Sequence, residues 1–174
     1  MCERVLMVNM GQLFVSTDLA VALAALGLGS CVVACAYDPE AIVAGMIHVV
    51  LPGRAPTCDP GRSAEGPAKY AEEAVPLLLE ELAVAGARRR RLRAALVGGA
   101  NVLEAPDPTP SLGIGARNIA AVRVALEREG VAIAADDTGG RESRSVRLVV
   151  GTGEVVLKTL RGGERTLARL GGQR

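Results

Sequence analysis

Residues 26–52 read LGLGSCVVACAYDPEAIVAGMIHVVLP, and the rest of the chain is arranged around them. A glycine-rich turn (Gly27, Gly29) leads to Cys31, then to an apolar run over 32–37 and a turn at Asp38-Pro39. A second apolar run over 42–51 carries the single histidine, His48. Runs that are apolar on both faces read as strands covered on both sides. Folding them back about the midpoint of Pro39 and Glu40 pairs residues whose numbers sum to 79, a condition met by Cys31 and His48. Directly opposed residues of an antiparallel pair have Cβ atoms ~4.5–5.5 Å apart, near enough for a thiol and an imidazole to share a proton. The stretch therefore predicts a cysteine nucleophile with a histidine base. Amides of the turn Gly29-Ser30-Cys31 are placed to favour thiolate and to hold an oxyanion. Two plainer readings stand beside this one: Cys31 as a small buried apolar residue, and His48 as a core histidine bonded to a main-chain carbonyl. Register decides between them, because a one-residue slip moves a side chain to the other face.

Composition narrows the function classes. The chain has 174 residues, enough for one domain (1–174) with a sizeable core. It is 49% hydrophobic but 2% aromatic, so Val, Leu, Ile and Ala build that core. A net charge of +1 gives no field for nucleic acid or an anionic membrane. The start, MCERVLMVNMGQ, lacks the features of a signal peptide, and the apolar run 19–28 is shorter than the ~20 residues a span needs. A cytoplasmic protein with reduced thiols is expected, without membrane insertion. Of the four cysteines, Cys31 and Cys35 share a strand face but lie ~13 Å apart, too far for a disulfide or a shared metal. Cys2 and Cys58 fall in segments the pattern does not place. No metal and no cofactor is expected.

Along the chain, short strands are predicted over 4–9 and 13–16. The alanine-rich run 19–26 reads as helix or strand equally well. Residues 53–67, rich in Gly and Pro, form a loop that either covers a substrate or merely connects. A helix over 68–85 carries Val75, Leu78, Leu79 and Leu82 inward, with a kink or restart at Pro76. The basic run 88–93 reads as a solvated helix end. A strand over 94–97 ends in Gly98-Gly99, and a proline-bearing loop (105–110) follows. A second helix over 116–129 turns Ile119, Val122 and Leu126 inward and stops at Gly130. Strands over 131–135, 146–150 and 155–160 follow, with 136–141 as a loop and the tail after about 161 unassigned. Gly98, Gly99, Arg117 and Asn118 are weaker candidates for a site rim, against turn geometry and helix capping. This order predicts a mixed or antiparallel β-sheet sandwich with helices packed on it, rather than a doubly wound fold.

The chain resembles the CheD family, the chemoreceptor glutamine deamidases of bacterial chemotaxis. The likeness is carried by LGLGSCVVACAYDP (26–39), GMIHVVLP (45–52), KYAEEAVPLLLEEL (69–82), LVGGANVLE (96–104) and IGARNIAAVRVALEREGVAIAADDTGG (114–140). It implies hydrolysis of receptor glutamine side chains to glutamate with release of ammonia. It also implies an α/β sandwich like the catalytic domain of cytotoxic necrotizing factor toxins, with Cys31 as nucleophile and His48 as base. Chemoreceptors are the implied substrates and a CheC-type phosphatase a partner in many members. Two positions depart from the pattern. The family usually orients its histidine with a threonine where this chain has Ala25, leaving only a main-chain carbonyl of that segment for the task. Leu103 stands where an aromatic residue is usual, on the implied partner surface. A member weakened in catalysis, acting as a regulatory module through a partner such as CheC, is the alternative reading.

Overall fold

The computed structural model describes residues 4–56, 66–102 and 113–172. The expected loop at 105–110, Leu103, Cys2, Cys58 and the centre of the 53–67 loop lie outside them. Ten strands occur among the described residues: β1 (Arg4–Met7), β2 (Leu13–Ser16), β3 (Val21–Leu28), β4 (Val32–Asp38), β5 (Val43–Val49), β6 (Arg93–Gly98), β7 (Ala132–Thr138), β8 (Arg144–Val149), β9 (Glu154–Thr159) and β10 (Gly163–Arg169). Two α-helices accompany them, α1 (Ala71–Val84) and α2 (Ile114–Arg128). One sheet has the order β1-β3-β8-β9-β10 and the other β2-β5-β4-β6-β7. Each is mixed: β1 runs parallel to β3, β6 parallel to β7, and the remaining neighbours are antiparallel. The expected sandwich with helices on a mixed sheet is the architecture observed.

The central hairpin shows why its two strands are apolar throughout. Val32, Ala34 and Ala36 of β4, with Val43, Ile47 and Val49 of β5, pack under the helices. Val33, Cys35 and Tyr37, with Ala44 and Met46, face β3, β8 and β9 of the other sheet. The hairpin is thus the middle layer of three. Gly45 lets α1 lie directly on β5, since a Cβ there would stand 2.7 Å from Leu78 Cδ1. In β3 the alanine-rich run is extended, because it pairs with both β1 and β8 and its alternate residues fill the space between the sheets. Tertiary pairing overrides alanine's helix preference here.

Several expectations are corrected. The hairpin turn has four residues, 39–42, and is centred one residue later than expected, between Glu40 and Ala41. Asp38 accepts N–H bonds from Glu40 (2.9 Å) and Ala41 (3.1 Å), and Ile42 takes a left-handed φ of 53°. Paired residues therefore sum to 81, and His48 stands opposite Val33. Helix α1 continues through Pro76 with no restart. The N–H that proline lacks would have served the carbonyl four residues back, on Glu72, which is exposed to solvent. The basic run is not merely solvated: it forms a 3₁₀ turn whose Arg91 bonds buried Asp38 (2.9 Å) and Glu40. Residues 136–138 extend β7 along β6, their acidic side chains held by Arg123 and Arg144. The tail forms β10 at the edge of its sheet.

Candidate active site

A register displaced by two residues preserves the parity of the strands. Cys31, one residue before β4, keeps the alternation of Val33 and Cys35 and stays on the face of His48. It is now a diagonal neighbour of the histidine instead of a direct one, a spacing of ~7–8 Å between backbone positions. Cys31 lies where the hairpin opens, beyond the last ladder pair, Val32 with Val49, and His48 lies just inside that pair, opposite Val33.

His48 is 5% exposed. Its Nδ1 lies 3.0 Å from the Val8 carbonyl oxygen. A carbonyl only accepts, so Nδ1 carries the proton and Nε2 keeps its lone pair. Val8 is itself held by its N–H bond to Ala24 O (2.8 Å). The acceptor that orients the ring thus follows β1; it is not a carbonyl of the Ala25 segment. Ala25 is fully buried opposite Val146 and acts at one remove, through the strand that anchors Val8. Burial pushes the His48 pKa below its ordinary value, and the Val8 bond counters only part of that shift.

Cys31 is half-buried, and burial pushes its thiol pKa up, opposed by its own backbone N–H. Both shifts favour the neutral forms, thiol and imidazole. Among the described residues no hydrogen bond joins sulfur and ring. Cys35 lies deep between the sheets with its thiol pushed up to about 12, chemically inert.

The turn before β4 is anchored through its carbonyls. Gly29 O accepts from Ala100 N–H (2.7 Å), Cys31 O from Gly99 N–H (2.7 Å), and Ser30 O from Asn118 Nδ2 (2.9 Å). In a trans peptide the N–H points opposite the preceding C=O. The Ser30 and Cys31 amides therefore point away from these anchors.

Gly98 and Gly99 were expected at the rim, but both are buried beneath the turn. A Cβ on Gly98 would fall 2.3 Å from Cys31 O, and one on Gly99 2.5 Å from Ile119 Cγ1. Only glycines let this strap pass between the cysteine turn and α2. Asn118 is likewise fully buried, not at the rim and not capping, while Arg117 beside it is exposed. No sequence pattern marks Val8, because its contribution is a backbone oxygen.

The family model described as CheD chemotactic sensory transduction matches residues 50–159. The chain is 43% identical to "Chemoreceptor glutamine deamidase CheD" of Thermotoga maritima over 140 residues, 80% of this chain and 83% of that protein. It is 41% identical to "Probable chemoreceptor glutamine deamidase CheD" of Symbiobacterium thermophilum, covering 95% and 98% respectively. A crystal structure of Neisseria meningitidis protein NMB0706 superposes with a TM-score of 0.43 at 16% identity, over 80% of this chain and 62% of that one.

Proposed function

Since the chain belongs to the CheD family, we propose that it is a protein-glutamine deamidase that converts glutamine side chains of chemoreceptors to glutamate through Cys31 and His48. The observation that carries the mechanism is the Val8 bond to His48 Nδ1. It fixes the tautomer and turns a basic Nε2 towards the layer that Cys31 enters.

The reaction begins with both groups neutral. The half-buried Cys31 side chain rotates to the ring as the glutamine enters; such hydrogen bonds tighten only when substrate binds. His48 Nε2 takes the thiol proton while sulfur attacks the carboxamide carbon. The Ser30 and Cys31 amides receive the oxyanion, with Gly29 shaping the turn. Imidazolium then protonates the nitrogen, ammonia leaves, and a thioester remains. Neutral His48 next removes a proton from water, whose oxygen attacks the thioester. Glutamate departs and the thiol regains its proton.

The test is incubation of receptor fragments with the wild type, Cys31→Ala and His48→Ala, with glutamine-to-glutamate changes mapped by mass spectrometry. Both variants should lose activity by at least ~10³-fold, the scale of removing a nucleophile or its base; normal deamidation by either would overturn the assignment. No helix among the described residues is long and apolar enough to cross a membrane, and the reading places the enzyme in the cytoplasm, where its thiol stays reduced. A CheC-type phosphatase as partner belongs to the same proposal. Ala25 favours no loss of catalysis, because the ring is oriented by Val8 without a threonine hydroxyl.

A further inference from the structure

The inward face of α2 is built from Asn118, Val122, Ala125 and Leu126. The last three belong to the apolar core under the helices. Asn118 interrupts that stripe with an amide that is 0% exposed. Its Nδ2 donates two bonds of 2.9 Å, one to Ser30 O and one to Val50 O. Two carbonyl acceptors require the NH₂ end of the side chain, so the orientation follows from chemistry. The Oδ1 is buried with no partner. Packing alone would place an apolar residue here, as it does one turn further along the helix.

The two acceptors bracket the site. Ser30 adjoins Cys31, and Val50 lies two residues beyond His48. The β4–β5 ladder ends at Val32 and Val49; the next opposed positions in that register are 31 and 50. At that step the two strand ends are joined by the Asn118 amide, bound to Ser30 on one side and Val50 on the other.

We propose that Asn118 is a positioning residue, an amide clamp across the open ends of β4 and β5 that sets the separation of the Cys31 sulfur from the His48 ring. The inference rests on the Cys31/His48 reading above. Without the clamp, the turn keeps its Gly99 and Ala100 bonds but loses its tie to the histidine strand. Asn118 is fully buried, so its effect on the reaction is exerted through the position of the two strand ends.

The experiment compares wild type, His48→Ala, Asn118→Leu, the double variant and Val122→Ala. Val122 is equally buried on the same helix face but has no polar role. Two quantities are read: the kcat and KM for deamidation of a receptor fragment, and the Cys31 alkylation rate by iodoacetamide at neutral pH, resolved by peptide mass spectrometry. For Asn118→Leu, kcat should fall ~10²-fold, the scale of a misplaced reacting group, with KM unchanged. Its alkylation should drop to the His48→Ala rate, and the double variant should show no further fall. Val122→Ala should keep kcat within about twofold, which separates misplacement from general destabilisation. If Asn118→Leu does not fold, Asn118→Ser, which retains one donor, should show the same effects in weaker form. Wild-type kcat and alkylation in a folded Asn118 variant, or additive losses in the double variant, would overturn the clamp alone. Wild-type kcat in His48→Ala would instead sink the Cys31/His48 reading, and the clamp with it.

Discussion

His48 donates its Nδ1–H to a carbonyl from a different strand layer, and its burial there links stability to pH at a single residue. Burial disfavours imidazolium in the fold, so the folded pKa lies below the ordinary ~6.5 of the unfolded chain. Between those two values the unfolded state binds more protons. Stability is therefore complete above the ordinary value and is lost as pH falls towards the folded one. Thermal midpoints should decline below about pH 6.5 in the wild type and stay flatter in His48→Gln; parallel curves would contradict the assignment. By the same cause, the acid limb of kcat/KM should lie below the ordinary histidine range, because the base remains neutral there. Cysteine and histidine were both legible from residue type and parity. The ring's acceptor was not, because any residue can offer a backbone oxygen.

At the scale of elements, the turn between β4 and β5 decides the geometry of the site. Asp38 ends β4 with its carboxylate occupied by the N–H groups of Glu40, Ala41 and Arg88 and by the Arg91 guanidinium. Burial alone would raise its pKa, but these donors outweigh burial and hold it below the ordinary carboxylate value. Its contribution is full above that ordinary value and is lost as pH falls through the lower folded one. Asp38→Ala leaves Arg91 half-buried without its main partner and should destabilise by about 3 kcal/mol in denaturant titration. The difference from wild type should shrink under strongly acidic conditions. An effect independent of acid would mean that the charge is irrelevant. The sequence predicted the hairpin and its parity from apolar runs, but it centred the turn one residue too early. An Asx-type turn and a left-handed isoleucine leave no clear local pattern. Pro76 misled in the opposite direction: the residue that loses its hydrogen bond is exposed, so α1 has no need to break.

Across the molecule, the helices cover one sheet, and the other closes the layer holding His48 and Cys35. Every residue of β4 is buried, whereas most of β10 is exposed. Amide exchange should therefore be slowest in β4 and β5 and fastest in β10, by several orders of magnitude in protection; comparable rates would argue against the layered order. Sequence alone determined the fold class, the order of most elements and the shared strand face of Cys31 and His48. Apolar periodicity and the placement of glycines are local signals that survive in one dimension. Tertiary structure alone decided the surroundings of Cys31 and His48, namely the Val8 carbonyl, the Asn118 bridge and the glycine strap beneath Cys31, and, away from them, the edge strand after residue 162. Each of these is a contact between distant segments, and its energy depends on the approach of backbones that no local pattern encodes.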